Sequence, residues 1–441
     1  MRPDVVVVGS GTSGLVAALR LAEEGASVLV LARGAGSLRL APGTIDLLGY
    51  AGGDRVRDPL AAIGELDGLG RGHPYATLGA DAVARSVRWL VERLRAGPLA
   101  PYAYVGSPDD NLLLPTAIGV PRPSALVPET MAAGDLRGGA RLLVAGFHGM
   151  KDFHPSLVAE NLIRTTAGSV SARSVLVEAP STLAGEPGPL ALAHALDRLR
   201  GAEDVATRLA GEVRDGETLV LPAVLSLRRP HATWALLRER LECEVCEVPT
   251  LPPSVPGSRL FDTLRLLLRD AGGQLVTGPV VTRARASGRR VDQIQARVSG
   301  GERRYPTRWV VLATGGVVAG GLELDADWRM HETALGLYVS GVPQPSEPRF
   351  APGYLDEHPL STAGIAVDEG LRPLGPDGTP RYDNVLVAGA ALAGATPWRE
   401  KSGEGLALAS GFRAAELIVE AEAGRFPRAR PRDSPVVEAT P

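Results

Sequence analysis

The chain begins with four consecutive valines at 5–8, then a glycine-rich turn, an apolar pattern of helical period over 15–24, a stop at Gly25 and a second apolar run over 28–31. This alternation predicts a βαβ unit at the N-terminus. The following stretch, 34–49, is rich in glycine and carries Ser37, Pro42, Gly43, Thr44 and Asp46; it is expected to be a loop that folds over a ligand. A helix is expected over 81–94.

The same rhythm returns in the middle of the chain. A strand over 141–145 and a helix over 155–165 are followed by a strand at 218–221, a helix at 234–241 and a strand at 243–248, which together predict a second α/β unit. Residues 249–257 are too proline-dense for regular structure and are expected to form a fixed linker into a helix over 258–270. Short β pieces at 274–277, 280–286, 291–298 and 304–305 lead to an apolar strand at 309–313. A last strand at 384–388 and a helix over 404–421 close the fold. No internal repeat is visible. The expected organisation is a first part of a nucleotide-binding domain over 1–140, an inserted α/β domain over 141–256, and a return with a β-rich segment over 257–423. A flexible, proline-bearing tail is expected over 424–441.

Composition narrows the function classes. With 441 residues, 44% apolar and 22% charged, the chain can bury a large core, and a net charge of -3 supplies no electrostatic drive toward nucleic acid. No nucleic-acid partner is expected. The sequence reaches Asp4 and the valine run at once, leaving no room for a signal peptide, so a cytoplasmic location is expected. No apolar run approaches the roughly 20 residues that span a bilayer, so membrane association is expected only peripherally or through a partner. The basic residues are almost all Arg, the exceptions being Lys151 and Lys401, and this skew carries no functional weight.

Three glycine-rich strand ends carry the candidate chemistry. Gly9-Ser10-Gly11-Thr12-Ser13-Gly14 follows a strand and opens a helix, the context in which G-x-G-x-x-G binds a dinucleotide. Gly9 permits the tight turn, Gly11 lets the backbone approach a pyrophosphate and Gly14 allows close packing, while free amides at Thr12 and Ser13 attract phosphate. The second cluster is Ala313-Thr314-Gly315-Gly316. The third is Gly389-Ala390 with the helix start Ser402-Gly403-Glu404-Gly405, whose amides can face the negative edge of a reduced isoalloxazine. Three such ends meeting at one ligand make a Rossmann-like flavoprotein of the two-dinucleotide-binding-domain type the expected fold.

One element of the dinucleotide pattern is missing. The strand at 28–31 runs into Ala32-Arg33-Gly34, where an acidic residue ordinarily binds a ribose 2′-hydroxyl. Arg33 favours a 2′-phosphate or stays a solvated loop cation, and a ligand without the adenosine ribose, such as FMN, would need no acid there. Cys243 and Cys246 form a lone C-x-x-C with no second pair to complete four metal ligands, so structural cysteines and no metal are expected. Lys151, Asp152 and His148 after the strand at 141–145 are readable as an anion site or as a solvated ion pair. His73, His331 and His358 are isolated.

On these residues the chain resembles the B subunit of anaerobic glycerol-3-phosphate dehydrogenase. The resemblance runs through 8–14, Gly43-Thr44-Ile45-Asp46-Leu47-Leu48, His73-Pro74-Tyr75, Gly149-Met150-Lys151-Asp152-Phe153 and Pro249-Thr250-Leu251-Pro252-Pro253-Ser254-Val255 with Arg259-Leu260. It continues through Val311-Leu312-Ala313-Thr314-Gly315, Gly320-Gly321-Leu322, 384–389, Gly394, Pro397 and 403–415. It covers most of 1–423. It implies a glycerol-3-phosphate dehydrogenase (quinone) in which this flavin subunit, with FMN or alternatively FAD, works beside a catalytic FAD subunit and an iron-sulfur subunit. Electrons would pass to the quinone pool, with the complex held at the inner face of the cell membrane through the partner subunits.

The resemblance also implies flavin contacts at Gly9, Gly11, Gly14 and Gly403-Glu404-Gly405, to which the sequence adds Thr12, Ser13, Arg33, Thr44, Thr314, Gly315 and Gly389. The family often has Gly-Cys-Gly near the last turn, where this chain has Ser402-Gly403-Glu404-Gly405, so no thiol serves there. Catalytic residues are not identified. Two other readings are a stand-alone, fumarate-reductase-like flavin oxidoreductase acting on a small anion, and a scaffold that has kept the fold without the flavin.

Overall fold

A computed structural model describes residues 2–426 except 67 and 71. Strand β1 (Val5–Val8) is the central strand of a five-stranded sheet, and all four valines are buried. Their two faces serve two cores, as the period of a strand demands. Val5 and Val7 join the larger core, built with α1 (Thr12–Glu23) and the helices Ala80–Arg95, Val255–Asp270 and Gly403–Ala421. Val6 and Val8 face the opposite way, onto the antiparallel strands Val280–Ser287, Arg290–Val298 and Gly301–Pro306, whose Val281, Ile294 and Tyr305 cover that side.

The sheet is parallel and its order crosses the sequence: Gln274–Thr277, β2 (Val28–Ala32), β1, Trp309–Leu312, Val385–Val387. The two directions of winding part at β1, so the crevice beyond its C-terminal end is where an open α/β sheet binds ligands. Only the β2 neighbour is adjacent in sequence.

A second parallel sheet, four-stranded, has the order Val170–Val177, Ala140–Phe147, Thr218–Pro222, Val245–Val248 and its own apolar core. A fully buried ion pair ties it to the first unit. Arg259, on the helix Val255–Asp270, places Nη1 and Nη2 at 2.8 and 3.0 Å from the carboxylate of Glu247 on Val245–Val248. Thr130 Oγ1 and the Leu225 amide donate to the same carboxylate, so its lone pairs are used. Burial of this kind is tolerated because both charges are paired and hydrogen-bonded.

Two expectations are corrected, and some elements have no counterpart in the expected pattern. The strand Val170–Val177 and the helices Pro189–Leu196 and Leu199–Leu209 went unread. Residues 255–257 belong to a helix rather than to a linker: Ser254 caps it by accepting from the Gly257 amide at 3.0 Å, and Pro256 sits in the first turn, where its missing N–H costs nothing. Cys243 lies in the turn before the strand Val245–Val248, with only Cys246 inside it, and both thiols are free. Of the tail expected from 424, residues 424–426 continue the turn after the last helix and 427–441 lie outside the described residues. Among the described residues no helix is long and apolar enough to cross a membrane.

Candidate flavin site

A pocket of about 580 Å³ opens at the C-terminal end of β1. Its walls are the turn 9–13, the end of β2 with the loop 33–37, residues 313–315 after the neighbouring strand, and the start of the last helix at Gly403 and Glu404. The turn has this shape because of its glycines. Gly9 adopts φ +112°, and a Cβ there would lie 2.2 Å from the Ala313 carbonyl oxygen, so only glycine lets the two strand ends touch. A Cβ on Gly14 would lie 2.1 Å from the Gly9 oxygen, which locks α1 close against the strand. Gly11 differs from both: a Cβ there meets no atom within 4 Å and would project into open space.

The surrounding polar groups hold the pocket in place. Ser10 Oγ donates to the Gly34 carbonyl at 2.9 Å and joins the first two loops. Thr12 Oγ1 donates to Glu404 Oε2 at 2.6 Å, joining the start of α1 to the start of the last helix. Burial pushes the Glu404 carboxyl above its ordinary value, outweighing this hydrogen bond and the nearby Arg122. The Thr314 hydroxyl is buried without a partner, on the wall of the pocket. A buried orphan hydroxyl is costly unless a ligand meets it. With the open face of Gly11 and the free amides of α1, it fits a phosphate-bearing cofactor.

The residues expected at the site do not all face it. Gly9, Gly11, Thr12, Ser13, Arg33, Thr314, Gly315, Gly403 and Glu404 line the pocket. Gly14 does not, since it packs against Gly9. Gly389 is not in the lining: its amide donates to Ser410 Oγ at 2.8 Å, and a Cβ there would lie 2.4 Å from Ser13 Oγ. Gly405 is a packing residue too: its amide donates to the Asp46 carbonyl at 3.0 Å, and a Cβ there would strike Leu47 and Tyr75. Thr44 lines a neighbouring cavity, where its hydroxyl donates to Asp46 Oδ1 at 2.9 Å. The wall also includes Ala390 of the third glycine cluster, and Pro279, Val280 and Thr333, which lie in no motif.

Other candidates have structural work. His73 is buried; its Nδ1 accepts from the Tyr75 amide at 3.1 Å and its Nε2 lies 3.2 Å from Glu400 Oε2. Burial alone would push the Glu400 carboxyl up, but the hydrogen bonds from His73 and Ser402 outweigh it and hold the group below its ordinary value. His73 thereby braces the turn before the last helix. Lys151 makes an exposed ion pair with Glu186 at 3.2 Å, both side chains more than three-quarters in solvent. Burial raises both cysteine thiols, and Cys246 is fully enclosed.

The profile of the FAD binding domain family matches residues 4–406. The chain is 31% identical over 433 residues to the probable B subunit of anaerobic glycerol-3-phosphate dehydrogenase of Halobacterium salinarum, covering 95% of this chain and 98% of that one. It is 32% identical over 438 residues to the B subunit of anaerobic glycerol-3-phosphate dehydrogenase of Pectobacterium carotovorum, covering 95% and 99%. Among solved structures it is similar to 3-ketosteroid delta1-dehydrogenase from Sterolibacterium denitrificans, at 13% identity over 95% of this chain and 99% of that one, with a TM-score of 0.46. The chain is thus a flavin-binding protein of α/β fold, and it belongs to the family of anaerobic glycerol-3-phosphate dehydrogenase B subunits.

Proposed function

We propose that the chain is the flavin-carrying electron-transfer subunit of an anaerobic glycerol-3-phosphate dehydrogenase, receiving electrons from glycerol 3-phosphate and passing them toward quinone. The observation that carries this reading is the pocket onto which three glycine-rich strand ends open, with a buried Thr314 hydroxyl left without a partner. The names of the relatives supply the complex and its substrate. Its partners in this reading are a catalytic FAD subunit and an iron-sulfur subunit, which also hold it peripherally at the inner face of the membrane.

The cofactor in this reading is FAD. The pocket runs past the phosphate-binding turn to Arg33, Pro279 and Val280, which leaves room for an adenosine. FMN is the second reading, favoured by the absence of an acid after β2.

A bound flavin supplies the ability to take up two electrons and release them singly; the protein's part is to bind and orient it. Gly11 and the first amides of α1 would hold its phosphates. The N-terminus of the helix Gly403–Ala421 brings partial positive charge to the pocket wall, which would favour the anionic form of a reduced flavin held there. Burial disfavours the charged form of the Glu404 carboxyl beside Thr12, which limits negative charge next to the phosphate site.

The test is to follow flavin bleaching after glycerol 3-phosphate is added to the isolated chain and to the assembled complex. Reduction of this chain's flavin in the complex, with little in isolation, is the expected result. Rapid turnover by the isolated chain would favour a self-contained oxidoreductase instead.

A further inference from the structure

Beside the flavin pocket lies a second cavity of about 270 Å³, and Leu40 forms part of both walls. Leu40, Pro42, Leu114, Ile118 and Leu251 make most of its surface apolar, and among the described residues Arg122 is the one charged group in its lining.

The hydroxyls of the wall are mostly committed. Thr44 Oγ1 and Ser124 Oγ both donate to Asp46 Oδ1, at 2.9 and 2.6 Å. Thr116 Oγ1 donates to the Val120 carbonyl at 2.8 Å and accepts from the Val120 amide at 3.1 Å. Arg122 is different. Its side chain is 24% exposed, its Nη2 pairs with Asp46, and its Nε is buried with no partner. A guanidinium carries five N–H donors, so most of this one's capacity is unspent.

The charges nearby leave room for an anion. Arg122 faces Asp46, with Glu404 and Lys401 close enough to act on it or feel it electrostatically. Burial disfavours the charged form of Glu404, and Lys401 lies close enough to Arg122 for the two cations to repel, so the surroundings of Arg122 favour an added anion.

We infer that this cavity is a binding site for a small organic monoanion, with an apolar body against Leu114 and Leu251 and a carboxylate head on Arg122. A planar guanidinium fork matches a carboxylate. Glycerol 3-phosphate is a poor fit, because its hydroxyls would meet either apolar walls or hydroxyls already engaged. The cavity is thus a ligand site separate from glycerol 3-phosphate oxidation, and the inference does not depend on which flavin is bound.

Hexanoate is a suitable probe, measured by calorimetry and saturation-transfer NMR on the purified chain with and without its flavin. Saturable binding is expected in both states, with hexanol failing to compete. Arg122→Met should weaken it about tenfold or more. Because that change also strips Asp46 of its partner, Ala117→Trp, which fills the cavity from its rim, is the companion variant and should abolish binding with the fold intact. The inference is overturned if hexanoate does not bind, if it binds Ala117→Trp as well as the parent, or if glycerol 3-phosphate binds there in its place. It is equally overturned if flavin loading expels hexanoate, since the space would then belong to the flavin ring.

Discussion

Two glycines of one motif, three residues apart, should fail in opposite ways. Gly14→Ala puts a methyl carbon 2.1 Å from the Gly9 oxygen and 3.0 Å from its carbonyl carbon, both backbone atoms that no rotamer change can move. Helix α1 must shift outward, and overpacking of this kind costs about 1–3 kcal/mol. For a unit of this size that is a fall in melting temperature of roughly 2–12 °C. Gly11→Ala meets nothing within 4 Å, and its backbone, at φ -72° and ψ -176°, is extended and open to any residue. Its apo stability should be unchanged or higher by about 0.4–1 kcal/mol, through a less flexible unfolded chain. Its methyl group does project into the pocket, so flavin affinity should fall about 5- to 150-fold, the binding equivalent of 1–3 kcal/mol. Thermal melts of apo protein and flavin-fluorescence titrations separate the two effects. If Gly11→Ala melts as low as Gly14→Ala, or binds flavin like the parent, the division of the motif into a packing glycine and a ligand glycine is wrong.

Arg259→Met leaves the Glu247 carboxylate buried without its cation and should cost about 3–5 kcal/mol in urea denaturation; adding Glu247→Gln should recover part of the loss, and a neutral single variant would refute the lock between the two sheets. Glu404 holds its proton more tightly folded than unfolded, so the folded state binds more protons above the ordinary carboxylate range, and this group's contribution to stability is lost as pH rises through the raised value. Melting temperatures of the apo protein should therefore decline more from pH 5 to pH 8 in the parent than in Glu404→Gln, and identical slopes would remove the raised carboxyl from the account. A thiol reagent near neutral pH should label Cys246 only on unfolding, because burial keeps it enclosed and protonated; rapid labelling of both cysteines would reopen a redox role for the pair.

What the sequence made legible follows its periodicity. The opening βαβ unit stood out because Val5–Val8 is buried on both faces and the turn after it is pinned by Gly9 and Gly14. The strand Val170–Val177 did not, since as an edge strand it leaves several positions exposed and carries Ser171, Arg173 and Ser174. The helix Pro189–Leu196 is short and begins beside glycine and proline, and Leu199–Leu209 carries Gly201 in its first turn, so both starts read as loop. Proline misled again at 255–257, where Pro256 marks a first helical turn.

At the site, motif glycines were visible, but which of them face the ligand was not. Gly405 and Gly389 sit in the right turns yet spend their missing side chains on contacts with Leu47 and Ser13, a distinction made only by chains meeting in space. Arg122 has no signal of its own: it is one Arg among many, and it gains its place from Asp46, 76 residues away.

The most direct test of the account is the identity of the bound flavin in the intact complex and in this chain purified from it. Acid release followed by chromatography should yield one FAD per copy of this chain, and Gly11→Trp should remove it while the complex still assembles. Release of FMN would overturn the adenosine reading and keep the flavin site. A colourless chain that neither FAD nor FMN reconstitutes would contradict the central claim.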